Sequence, residues 1–164
     1  MGELDPAERQ QHEHFGKKAN GETWQLLEKT DRTPEEDERM VVAAHASYYH
    51  WLHAGTDVHR QRGEWMLAHV YTVLGREEAA RHHAWRCLGL AERFPDEMKD
   101  FDVAYAHEAV ARAAALAGDA ETARRHYAMA EAQGARIADE EDRTIFLGDF
   151  RSEPWFDIGR ERAG

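Results

Sequence analysis

One helical pattern, written twice between Arg62 and Ala132, constrains this chain more than any other feature. The first copy reads Leu67-Ala68, Tyr71, Gly75, Ala80, Ala84, Cys87, and the second reads Val110-Ala111, Ala114, Gly118, Ala123, Tyr127, Ala130. From the first small-residue pair, both copies step by 4, 8, 13, 17 and 20 positions. Steps of that kind keep residues on one helical face and predict two similar helical hairpins. Between 104 and 132, 13 of the 29 residues are alanine, which lets helix axes approach toward the low end of the ~8–10 Å range. The prolines Pro6, Pro34, Pro95 and Pro154 fall where helices begin or end. No run of alternating β-branched residues suggests a strand. The expected class is all-α, with antiparallel helical hairpins stacked as a short array of about six to seven helices in one domain over residues 1–164.

Taken in order, Asp5-Pro6 caps a first helix that should stop near Ala19, before Asn20-Gly21. Thr23 to Leu27 then reads as a short apolar turn or a continuation. Thr33-Pro34-Glu35-Glu36 opens a second helix, with Val41, Ala44, Tyr48, Trp51 and Leu52 at helical spacing, ending near Gly55. Asp57 is placed to cap the next helix, which ends at Gly75. Further helices are expected from about Glu77 to Arg93, from Asp96 or Asp100 to Ala117, and from Ala120 to about Gln133. A shorter one begins at Glu140. Beyond Gly148, the aromatics Phe150, Trp155 and Phe156 predict a tail, 149–164, folded back on the helices. The alternative for that tail is an exposed aromatic segment that finds a partner.

The net charge of −11 argues against binding the phosphate backbone of nucleic acid or an anionic membrane. No stretch approaches the ~18 apolar residues of a membrane span, and Pro6 rules out a myristoylation signal at Gly2, so a cytoplasmic location is expected. The one cysteine, Cys87, lies on an apolar face between Ala84 and Leu88 and reads as a small buried hydrophobe.

The doubled pattern resembles the tetratricopeptide repeat (TPR), a helix–turn–helix unit with small and aromatic residues at fixed positions. Gly75 and Gly118 match its inter-helix glycine, Ala80 and Ala123 its close-packing alanine, Tyr71 and Tyr127 its aromatics. The two glycines are 43 residues apart, against ~34 in the consensus, and Glu64 stands at the place of the signature tryptophan. The resemblance implies a concave groove lined by the first helix of each hairpin. Its groove-facing positions would be Arg62, Trp65 and His69 in one copy and Tyr105, Glu108 and Arg112 in the next. Such a set suits a peptide carboxylate, an acidic side chain or a small polar ligand. It implies a protein or peptide partner for an interaction module without enzymatic activity or cofactor.

Eleven histidines raise a second reading. A turn centred on Asp57 would pair His45 with His69 and Tyr49 with Trp65. His45, His53 and His69 could then hold a metal ion, with Glu64 or Glu108 completing the set, or a small polar ligand. A hydrogen-bonded His/Tyr cluster ordering the interface is the simpler expectation. His107-Glu108 fails as a zinc-protease motif because position 111 is Ala111. Ser47 and Ser152 have no evident base, and no phosphate-binding glycine loop is present. A third reading is a structural subunit that covers its apolar faces by forming a homodimer.

Overall fold

The computed structural model describes residues 4–158, and among these every regular element is helical. The α-helices are α1 (Pro6–Glu28), α2 (Pro34–Ala54), α3 (Asp57–Val73), α4 (Glu77–Arg93), α5 (Asp100–Leu116), α6 (Ala120–Gly134) and α7 (Glu140–Arg151). A single 3-10 turn spans Pro95–Glu97. None of these helices is long and apolar enough to cross a membrane. Gly2 and residues 159–164 of the tail lie outside the described residues.

Three hairpins stack side by side. Helix α1 packs on α2, α3 on α4 and α5 on α6, while α7 leans on α5 and α6. The first arms α3 and α5 also touch directly, which leaves one side of the stack built from first arms.

The repeated glycines end the first arms. Gly75 and Gly118 sit at φ +68° and +73°, where a Cβ is strained. Around each, two backbone bonds close the helix end: Arg76 to Tyr71 and Gly75 to Thr72, then Asp119 to Ala114 and Gly118 to Ala115. The repeated small residues meet in one core, where Ala68, Ala80, Ala84, Cys87 and Ala91 pack against Ala106, Ala109, Val110 and Ala113. Methyl-sized side chains fill this interface, so backbone approach rather than bulk sets the hairpin spacing.

Two helices run further than expected. Helix α1 continues through Asn20-Gly21 to Glu28. Gly16 lets Trp51 of α2 pack against the α1 backbone, and buried Thr23 bonds back to the Ala19 carbonyl. Continuous packing on α2 outweighs the ~1 kcal/mol that an internal glycine costs. Helix α7 likewise passes Gly148 to reach Arg151, because Phe146 and Phe150, four residues apart, are both buried.

The expected register between α2 and α3 is corrected. Tyr48, not Tyr49, faces α3, seated over Gly63 with its hydroxyl donating to Glu64 at 2.6 Å. His45 therefore meets Tyr71 at 2.8 Å and lies edge-on to His83, and does not reach His69. Tyr49 is exposed and packs against His12 and His53, not Trp65. Also, the α3 cap residue is Thr56, with Asp57 paired to Arg60.

Glu64 is fully buried and ties three helices together. It accepts from Tyr48 of α2 and, at 2.7 Å each, from His83 and Arg86 of α4. Burial alone would raise its pKa, but the bonds from His83, Tyr48 and Arg86 outweigh that and hold it below the ordinary carboxylate value. Trp155 is buried against Phe150 and Tyr127, and its indole N–H donates to the Phe150 carbonyl.

Candidate functional site: a groove across α1, α3, α5 and α7

The side built from first arms carries a groove with two connected parts. The narrow part, a cavity of 160 Å³, is lined by Trp24, Leu27 and Glu28 of α1, Trp65 and His69 of α3, Glu108 and Arg112 of α5, and Asp149 of α7. The wider part, of 440 Å³, shares Trp24, Trp65 and Asp149 and adds Asn20, Gln61, Arg62, Phe101, Asp102, Tyr105 and Ile145. All six residues implied by the repeat, Arg62, Trp65, His69, Tyr105, Glu108 and Arg112, thus line one continuous surface.

Helical spacing explains the convergence. Trp65 and His69 are four apart on α3 and stack with planes only 8° from parallel. Trp24 reaches over from α1 to stack on Trp65, with ring centroids 5.9 Å apart. Tyr105 closes the other side edge-on to Trp65 at 5.2 Å. Burial pushes the pKa of His69 down, so it stands here as a neutral aromatic plate.

The charged members play a different part from the one the repeat implies. Glu108 and Arg112 are both about as buried as core alanines and pair with each other through Arg112 Nε. Arg112 also donates to the carbonyls of Asp149, Ser152 and Pro154, and Glu108 accepts from the Trp65 indole at 2.9 Å. Arg62 is bound by both oxygens of buried Asp102 and lies over Phe101. Both guanidiniums are thus already paired with carboxylates of the protein itself, Arg62 at the surface and Arg112 in the interior.

Sequence reasoning missed Trp24, Glu28, Gln61 and Asp149. The first two depend on α1 continuing past Gly21, and Asp149 depends on α7 continuing past Gly148. Gln61 was within reach, since it precedes Arg62 by one position, but it points at Cys87 and the Asp102 carbonyl.

The proposed metal set is not assembled. His45 belongs to the Tyr71–His83 cluster, His53 stacks on His12 near the α1–α2 surface, and His69 stacks on Trp65. Among the described residues, no group of three or more His, Cys, Asp or Glu side chains is arranged to hold a metal ion. The remaining close histidines are paired with each other: His12 with His50 at 2.9 Å and His107 with His126 at 3.0 Å. Burial first, then the neighbouring His107, pushes His126 down to about 4.

Compared with known protein families, curated proteins and solved structures, the chain matches none. Function must therefore be read from the groove itself. Its walls are rich in aromatic rings, and the hydroxyls of Ser47 and Ser152 donate to backbone carbonyls. Rings held by hydrogen bonds from below suit reversible contact with another chain's side chains.

Proposed function

We propose that the chain is a TPR-like interaction module, without enzymatic activity, that receives a segment of a partner protein in the groove between α1 and α7. The supporting observation is that the first arms of all three hairpins turn aromatic side chains to one surface, whereas the face between the second and third hairpins is packed largely with alanine. Partly exposed Trp24 beside Trp65 and Tyr105 has the composition of a binding hot spot: large rings around a narrow cavity. The acidic balance of −11 disfavours nucleic acid as the partner. A cytoplasmic setting fits a chain whose one cysteine is buried and unpaired. A second copy of the chain is the competing occupant.

The test is a selection of random twelve-residue peptides displayed on phage, with Trp24→Ala as the counter-target. Trp24 is partly exposed and lies in no core cluster, and circular dichroism of the variant checks that the fold is kept. Enriched peptides should bind the wild-type protein about tenfold or more tightly than the variant by fluorescence anisotropy. No enrichment, or equal binding to both proteins, removes the groove from consideration. Light scattering across concentration separates the remaining case, since a rise to twice the monomer mass that Trp24→Ala abolishes identifies a second copy as occupant.

A further inference from the structure

We propose that the groove is selective for a basic segment, with a guanidinium or ammonium side chain entering the narrow cavity and an apolar neighbour resting on Phe101 and Ile145. This rests on the partner-binding reading of the groove and adds the chemistry of the occupant.

Three independent features converge on a cation. The first is charge. The two parts of the groove carry four carboxylates, Glu28, Asp102, Glu108 and Asp149, against the two guanidiniums Arg62 and Arg112. Both guanidiniums are already neutralised, by Asp102 and Glu108. That leaves Glu28 and Asp149 uncompensated, one on each wall of the narrow cavity. Glu28 has no hydrogen-bond or ion-pair partner among the described residues. Asp149 receives the Tyr105 hydroxyl on Oδ2 alone and, as a carboxylate, can accept more.

The second is an orphaned acceptor. Gln61 lines the wider part and is 1% exposed, and its Oε1 has no partner. The amide cannot be turned round, because Nε2 must donate to the Asp102 carbonyl at 3.1 Å. Native proteins rarely leave a buried acceptor unmet, and this one adds an unmet oxygen behind the wall of the wider part, next to the narrow cavity and not inside it. The strong donors on the floor, the Trp65 indole, the Tyr105 hydroxyl and both guanidiniums, are meanwhile engaged within the protein. The charged groups left for a ligand are therefore the carboxylates Glu28 and Asp149.

The third is the rings. The faces of Trp24 and Trp65 attract a cation through the negative face of the indole, and the neutral state of His69 adds no opposing charge. The cavity of 160 Å³ is close to the ~150 Å³ that holds a benzene molecule, so it admits one side-chain head and not a backbone. The wider part of 440 Å³ alongside it, walled by Phe101, Tyr105 and Ile145, takes the neighbouring residue.

The experiment compares three acetylated, amidated five-residue peptides that differ only at the centre: alanine–leucine–X–leucine–alanine, with X arginine, norleucine or glutamate. The readout is the Trp24 and Trp65 indole N–H resonances in a ¹H–¹⁵N spectrum of the full chain. The arginine peptide should move both resonances and saturate, at an affinity about fivefold or more above the norleucine peptide. The glutamate peptide should move neither. Glu28→Gln and Asp149→Asn, both at exposed positions, should each weaken the arginine peptide about threefold or more, and raising the salt should do the same. Equal binding of arginine and norleucine, or binding of glutamate, overturns the cation assignment while leaving the groove as a docking surface. Arginine binding unaltered in both variants overturns it too. Silence of both indoles toward all three peptides overturns the cation site, and silence toward the phage-selected peptides as well removes the groove reading with it.

Discussion

The guanidinium of Arg112 lies 4.0 Å from the ring centroid of Trp155, so the base of the groove and the returning tail share one contact. The same guanidinium pairs with Glu108 and donates to the carbonyls of Asp149, Ser152 and Pro154. Arginine is the side chain for this position because its planar fork serves several acceptors in fixed directions. Arg112→Ala should cost about 3–5 kcal/mol in urea unfolding, since it strands a buried Glu108 carboxylate along with three carbonyls. Arg112→Lys should recover little of this, because a point charge cannot reach all four acceptors. A loss under ~0.5 kcal/mol for the alanine variant would mean the clasp is dispensable.

Trp155 closes the end of the stack over Tyr127 and Phe150. Trp155→Ala should lower stability by about 3–5 kcal/mol through the cavity it leaves. Its mass in light scattering should stay that of the wild type, since the ring is buried within its own chain. A change in mass would mean instead that the tail contacts a second copy.

The hairpins could be read from sequence because their determinants are local. Proline and capping residues mark helix starts, glycine marks the ends, and alanines at helical spacing mark the packed face. The α4 bounds Glu77–Arg93 follow from those signals alone. Gly21 and Gly148 look the same in sequence as Gly75 and Gly118, yet they sit inside helices. The difference lies in tertiary packing: Gly16 against Trp51 and Phe146 with Phe150 carry α1 and α7 onward. The site divides in the same way. Positions on α3 and α5 followed from the repeat, but half the wall comes from α1 and α7, whose faces depend on those continuations. The roles of Arg62 and Arg112 were hidden for a similar reason, because Asp102 and the tail carbonyls reach them only in the fold.

Glycines should separate by sign on mutation. A Cβ on Gly63 would stand 2.4 Å from the Tyr48 ring, and one on Gly134 would stand 2.1 Å from the Phe146 ring. Neither ring can withdraw without opening its interface, so Gly63→Ala and Gly134→Ala should each cost about 1–3 kcal/mol. Around Gly21 there is open space, and the residue is helical. Gly21→Ala should therefore gain about 0.5–1 kcal/mol. Thermal unfolding of the three variants checks both signs, and a destabilised Gly21→Ala would contradict a continuous α1.

Stability should fall as the solution is acidified, well before carboxylates titrate. Burial, then His107 and Arg125, holds His126 at about 4, against an ordinary value of 6.5. Between those two values the unfolded chain binds a proton that the folded chain does not, so stability declines as pH falls and this contribution levels off below the lower one. Burial shifts His45, His50, His59, His69 and His107 in the same direction. The urea midpoint should thus drop from about pH 7 to about pH 5, and His126→Asn should show a smaller drop over the same interval. A midpoint that is flat there would contradict neutral burial of these rings.

Cys87 should be inert in the folded protein. It is fully buried where α3, α4 and α5 meet, and Gln61 Nε2 lies 3.2 Å from its sulfur. Burial pushes the thiol pKa well up, and the nearby carboxylates of Glu64, Glu108 and Asp102 add to that, so the reactive thiolate is scarce as well as covered. A disulfide reagent should leave the native chain unlabelled and label it in strong urea. At intermediate urea, the labelling rate should follow the unfolded fraction, because the reagent must wait for the alanine-lined core to open. Fast, complete labelling without urea would place the opening in the α3–α4–α5 junction itself. The close approach of those helices would then be a local, easily broken contact and not the centre of the stack.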